Sequence, residues 1–127
     1  MGYELHITRS EEWSDNVGRE IAAREWLEYI QADPELVLDT SYSPYFAVWR
    51  GSPNGAWAWL DWEAGNIYAK SPDRPLIEKM VRVAHVMSAR VQGDDGEWYP
   101  EALLEVQAEL PPEQPRLPWW RRLFRPR

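Results

Sequence analysis

Three runs rich in aromatic and aliphatic residues, 45–50, 56–62 and 66–70, follow one another with only turn chemistry between them. Gly51-Ser52-Pro53-Asn54-Gly55 separates the first pair and Glu63-Ala64-Gly65 the second. Glycine, proline and asparagine supply the backbone conformations of tight turns, so the runs are expected to form an antiparallel meander. Such a sheet must bury one face, and the flanking segments supply the cover.

Tyr3, Leu5 and Ile7 alternate with Glu4, His6 and Thr8, the period of a half-buried strand. Ala23, Trp26, Leu27 and Ile30 form one stripe of a helix expected over 20–31, with Glu20, Arg24 and Glu28 as an outward i, i+4 charge ladder. Asp33-Pro34 ends that helix, and residues 36–38 are a short strand candidate. A second helix is expected over 74–89, with its N-cap in Ser71-Pro72-Asp73 and Pro75 in its first turn. Its wide stripe, Leu76, Ile77, Met80, Val81, Val83, Ala84 and Met87, belongs to a core. Residues 90–92 return as a strand, Gly93-Asp94-Asp95-Gly96 turns it, and 97–99 form the opposite arm of a hairpin. Pro100 opens a short third helix reaching about Leu110, where Pro111-Pro112 stops it.

The expected fold is α+β: an antiparallel sheet of about five to six strands, two main helices on one face, a short third helix and a C-terminal tail. The expected organisation is a single domain over 1–110, a Pro-rich linker over 111–118 and a basic aromatic tail over 119–127.

The chain has no cysteine, which excludes disulfides, thiolate nucleophiles and cysteine-ligated zinc. All 21 acidic residues but only nine of the 14 basic ones lie in 1–115, so that part carries −12 and the remainder +5. A body this acidic repels phosphates, so direct nucleic-acid binding is not expected, whereas a basic protein partner is. The start lacks the basic and apolar regions of a signal peptide, and no run is long enough to span a bilayer, so a bacterial cytoplasm is the expected location.

Candidate binding residues fall in three places. In the run 56–62, Trp57, Trp59 and Asp61 share one face and Ala58, Leu60 and Trp62 the other. If the second face packs on the helices, the two tryptophans and the carboxylate form either a surface covered by this chain or another subunit, or a platform for a partner or ligand. The turn with Asp94, Asp95 and Glu97 has too few spaced oxygens for a calcium loop. It is expected to be a solvated acidic tip or a contact for a basic partner.

The third place is the tail, where Trp119, Trp120, Arg121, Arg122 and Phe124 have the composition of a docking segment. Their target is the ridge of Glu101, Glu105 and Glu109, a second copy of the chain, another protein, or an anionic membrane surface. His6 and His85 have no metal-ligand spacing, and no nucleophile elbow accompanies them. No catalytic residue, metal or cofactor is therefore expected.

The opening Met1-Gly2-Tyr3-Glu4-Leu5-His6-Ile7-Thr8-Arg9 with Trp13 resembles a family of small uncharacterised bacterial cytoplasmic proteins. So do Glu25-Trp26-Leu27-Glu28-Tyr29 with Asp33-Pro34-Glu35-Leu36, and Ala89-Arg90-Val91-Gln92-Gly93-Asp94-Asp95-Gly96-Glu97. The resemblance covers roughly 1–99 and leaves out the tail. This chain is shorter between Thr40 and Tyr45 than the members it resembles, and the resemblance carries no catalytic residues. In type, though not in motif, the chain is similar to immunity proteins of bacterial toxin systems. The functional expectation is a non-enzymatic protein-binding domain, an immunity protein or antitoxin that neutralises a basic toxin such as a nuclease. The alternative is a membrane or complex adaptor that docks through its tail.

Overall fold

The computed structural model describes residues 3–102. Its elements run β1 (Glu4–Thr8), α1 (Ala23–Ala32), β2 (Leu36–Leu38), β3 (Ala47–Trp49), β4 (Trp59–Glu63), β5 (Asn66–Lys70), α2 (Arg74–Val86), β6 (Arg90–Gly93) and β7 (Trp98–Tyr99). The strands make one antiparallel sheet in the order β2-β3-β4-β5-β1-β6-β7. The α+β class and the meander stand. The sheet has seven strands rather than five or six, because its edge strands β2 and β7, of three and two residues, are too short to show a period.

Register puts Leu36, Trp49, Ala58, Leu60, Ile67, Ala69, Leu5, Ile7 and Val91 on one face, and this face and both helices share one buried core. Every expected core residue of α2 is buried there. Asp73 caps that helix by accepting from the Leu76 N–H at 3.0 Å. The helix stops at Val86 rather than 89, since Ser88 turns into the left-handed region at φ 56°.

Helix α1 starts at Ala23 rather than 20, because the chain before it is tied to the β4–β5 turn, where Ile21 N–H donates to Gly65 O at 2.9 Å. Glu20 therefore precedes the helix and the charge ladder loses its first member. Glu25 holds the start instead. It accepts from the Ala22 N–H at 3.0 Å and, through both oxygens, from Arg9 at 2.9 and 3.0 Å. Arg9 also donates to Met87 O at the end of α2, so one side chain joins β1 to both helices.

Lys79 brings a charge into the buried face of α2. Its ammonium donates to Asp33 Oδ2 at 2.7 Å and to Glu35 Oε1 at 2.9 Å, linking α2 to the chain between α1 and β2. Trp49 Nε1–H and Tyr29 O–H complete the network on Glu35 and Asp33. The continuation of a third helix towards Leu110, the linker 111–118 and the tail 119–127 lie outside the described residues.

Candidate functional site

The helices occupy one face of the sheet, so the site must be sought on the other. Cross-strand pairing lines up Asp61, Tyr68, His6, Gln92 and Trp98 on that outer face, one from each of β4, β5, β1, β6 and β7. The polar segment 9–18 folds over part of this row and is fixed by Gln92. The Gln92 carbonyl accepts from Trp13 N–H at 2.7 Å, and its amide donates to Glu11 O and Gly96 O at 3.2 and 3.1 Å. Asn66 donates to Trp13 O at 2.8 Å from the other side. Trp13 is thereby laid flat on His6, with ring centroids 3.7 Å apart and planes 6° from parallel.

His6 is consequently 3% exposed and not a solvated polar-face residue. Its Nε2 lies 3.0 Å from Asp94 Oδ1, while Asp94 Oδ2 accepts from the Glu4 N–H at 2.9 Å. Burial on its own raises the Asp94 pKa, but the bonds from His6 and Glu4 outweigh it and hold the carboxyl below its ordinary value. Glu4, His6 and Asp94 each bring one ligating atom within 4.8 Å of the others. Spacing along the chain hides this set, since Asp94 lies 88 residues from His6. The readable part was the Glu4-x-His6 alternation, which puts both side chains on one strand face.

Beside this cluster lies a groove of about 280 Å³, lined by Glu4, His6, Trp13, Ser14, Asn16, Glu63, Ala64, Asn66 and Tyr68. It presents two carboxylates, no lysine or arginine, and aromatic walls. Burial and then the Asp61 and Glu63 charges raise the Tyr68 phenol, so this hydroxyl stays a neutral donor at physiological pH.

The groove continues into an aromatic patch. Trp57, 61% exposed, and Trp59 do share this face, but they do not form a bare pair. Phe46 stacks at 5.1 Å from Trp59 and 6.3 Å from Trp57, Tyr42 packs on both Phe46 and Trp57, and Tyr68 meets Trp59 edge-on at 5.6 Å. Trp59 is half-buried as a result, and Trp57 and Tyr42 form the open end. Neither Tyr42 nor Phe46 is distinguished in the chain as a site residue: β3 begins at Ala47 rather than at 45, which leaves Phe46 with Tyr42 in the irregular segment before it.

Asp61 does not project toward a partner. It is 9% exposed and accepts from the Ser43 hydroxyl at 2.7 Å and the Trp62 N–H at 2.9 Å, holding the loop that carries Tyr42.

Nor do Asp94, Asp95 and Glu97 form one acidic tip. Asp94 folds back on β1, Asp95 is exposed, and Glu97 points to the helix side, bonded to the Tyr3 and Tyr99 hydroxyls. Glu97 lies opposite Gly93 across the three-residue turn 94–96 and shares its helix-side face, whereas Asp94, one residue on from Gly93, takes the other face, which separates them. Burial, followed by the Glu97 charge, pushes Tyr99 up to about 12. His85 is exposed on α2. Trp119, Trp120, Arg121, Arg122 and Phe124 lie outside the described residues.

No helix of the described residues is long and apolar enough to cross a membrane. In comparisons with known proteins, no family model matched the chain, and neither did any curated protein or solved structure.

Proposed function

We propose that this chain is a non-enzymatic protein-binding domain that uses the outer face of its sheet to hold a basic partner, in the manner of an immunity protein covering a basic bacterial toxin such as a nuclease. One observation carries the reading: an open aromatic patch at Trp57 and Tyr42 runs into a groove whose formal charges are the carboxylates of Glu4 and Glu63. Aromatic anchors beside carboxylates that have no ion pair among the described residues suit an arginine- or lysine-rich surface, through apolar burial, cation–π contact and charge attraction. The excess of acid over base in 1–115 speeds encounter with such a partner. The resemblance to small bacterial cytoplasmic proteins supports this role and a cytoplasmic location as part of the proposal.

The test is capture from the native host, followed by co-expression of the captured protein with wild-type and altered chains. A basic protein whose toxicity is relieved by the wild-type chain, and which binds Trp57→Ala and Glu63→Gln at least tenfold more weakly, supports the reading. Undiminished binding by both variants, or a partner that is not basic, overturns it.

A second reading rests on the tail, whose last twelve residues hold five arginines and three aromatics with no acid. It makes the chain an adaptor on an anionic membrane or complex. Anionic liposomes then retain the full chain and not one ending at Glu113; equal retention removes this alternative.

A further inference from the structure

We propose that Glu4, His6 and Asp94 form a site for one divalent cation of the zinc or manganese type. Glu4 and His6 come from alternate positions of a central strand, and Asp94 reaches them from the β6–β7 turn. Their ligating atoms already lie within 4.8 Å of one another. A tetrahedral ion with bonds of about 2.0–2.2 Å holds its ligands roughly 3.3–3.5 Å apart. His6 Nε2 and Asp94 Oδ1, now 3.0 Å apart across a hydrogen bond, need to separate by only a few tenths of an ångström. The ion takes the place of the proton between them, and the ring proton moves to Nδ1.

Three features go beyond the bare cluster. His6 is 3% exposed and clamped by Trp13, so its ring is oriented before any ion arrives. Asp94 is oriented by the Glu4 N–H, an outer contact of the kind that fixes a ligand's direction. The Glu4 carboxylate accepts no hydrogen bond among the described residues and is therefore uncommitted. Two carboxylates balance the charge of a divalent ion, and one imidazole favours zinc or manganese over calcium, which requires six to eight oxygens. Three protein ligands leave a position facing the groove, open to water. The site shares Glu4 and His6 with the groove, but its test needs no protein partner.

Isothermal titration of the EDTA-stripped full chain with zinc and manganese chlorides tests the assignment, with calcium as control. One zinc or manganese ion per chain is expected, with His85→Gln unchanged. Glu4→Gln should weaken binding at least tenfold. Glu4 is only partly buried, so this variant keeps the fold where His6→Gln disturbs it. Zinc should raise the Tm of the wild type and leave that of Glu4→Gln unmoved. Manganese should broaden the amide resonances of Glu4, His6 and Asp94 before all others. Binding no tighter than millimolar, or stoichiometric binding that survives Glu4→Gln combined with Asp94→Asn, overturns the site.

Discussion

The indole of Trp13 covers the imidazole of His6 in a parallel stack, with centroids 3.7 Å apart. The segment 9–18 is thus an integral layer of the fold and not a loose connection. Trp13→Ala removes the stack and opens the sheet to water around His6. A loss of roughly 2–3 kcal/mol is expected, below the full cost of a core tryptophan because Trp13 is only half-buried. Urea unfolding measures it, and the ring-current shift of the His6 protons should vanish in the same variant.

Gln92 is 1% exposed and holds that layer through three bonds. Gln92→Leu keeps approximate volume but strands the Trp13 N–H and two carbonyls. The expected loss is about 2–3 kcal/mol. Hydrogen exchange should show the Trp13 amide losing protection first, while amides in β4 hold.

Lys79 lies among the core residues of α2 with both of its carboxylate partners in contact. Lys79→Met leaves Asp33 buried without a cation and should cost roughly 3–5 kcal/mol. Adding Asp33→Asn should recover part of that loss. A double variant as unstable as the sum of the two singles would show that the ion pair is not the source.

Acid should weaken the fold in a defined window. Asp33, Glu35, Glu25 and Asp94 are all held below their ordinary values. For Asp33, burial pulls upward but the bonds from Lys79, the Glu35 N–H and Tyr29 prevail; for Glu35 the leading cause is the Trp49 bond, and for Glu25 the Arg9 bond. A lowered carboxyl contributes stability above its unfolded pKa of about 4 and loses it as pH falls through the folded value. Stability should be level from pH 7 to about 5 and fall below about pH 4. At the alkaline end Tyr99, raised to about 12, keeps a proton that the unfolded chain loses near pH 10, so stability should fall again between those values. Denaturant midpoints across pH check both limbs.

The β4–β5 turn carries Ala64 at φ 53° and Gly65 at φ 88°, both left-handed. Glycine accepts that conformation freely and alanine does not, whereas asparagine at the first position suits this hairpin. Ala64→Asn should stabilise by about 0.5–1 kcal/mol, read as a higher Tm.

What could be read in the chain followed from local chemistry. Helix α2 was legible because Asp73, Pro75 and seven stripe residues agree, and the β4–β5 hairpin because Gly65 breaks two strand-like runs that lie only a few residues apart. Strand β7 was legible as an arm of a hairpin, but its two residues and those of β2 could not set the number of strands. The site was legible only in halves. Trp57 and Trp59 announce their face through alternation, but Phe46 and Tyr42 reach them from an irregular loop. Lys79 looks like a surface residue until Asp33 and Glu35 are placed beside it. His6 looks like an ordinary polar-face residue because Asp94 and Trp13 reach it only through tertiary folding.

Strand β1 lies inside the sheet although it precedes every other described element. Its partners on either side, β5 and β6, begin at Asn66 and Arg90. As the chain leaves the ribosome, Leu5 and Ile7 wait for most of the described sequence before either edge of their strand is satisfied. The β3–β4–β5 meander can close earlier, over short connections. Completing the sheet therefore depends on contacts between distant parts of the chain: both edges of β1 are satisfied only by strands that follow it by more than fifty residues, and until those strands are in place its backbone donors and acceptors have no ladder to join.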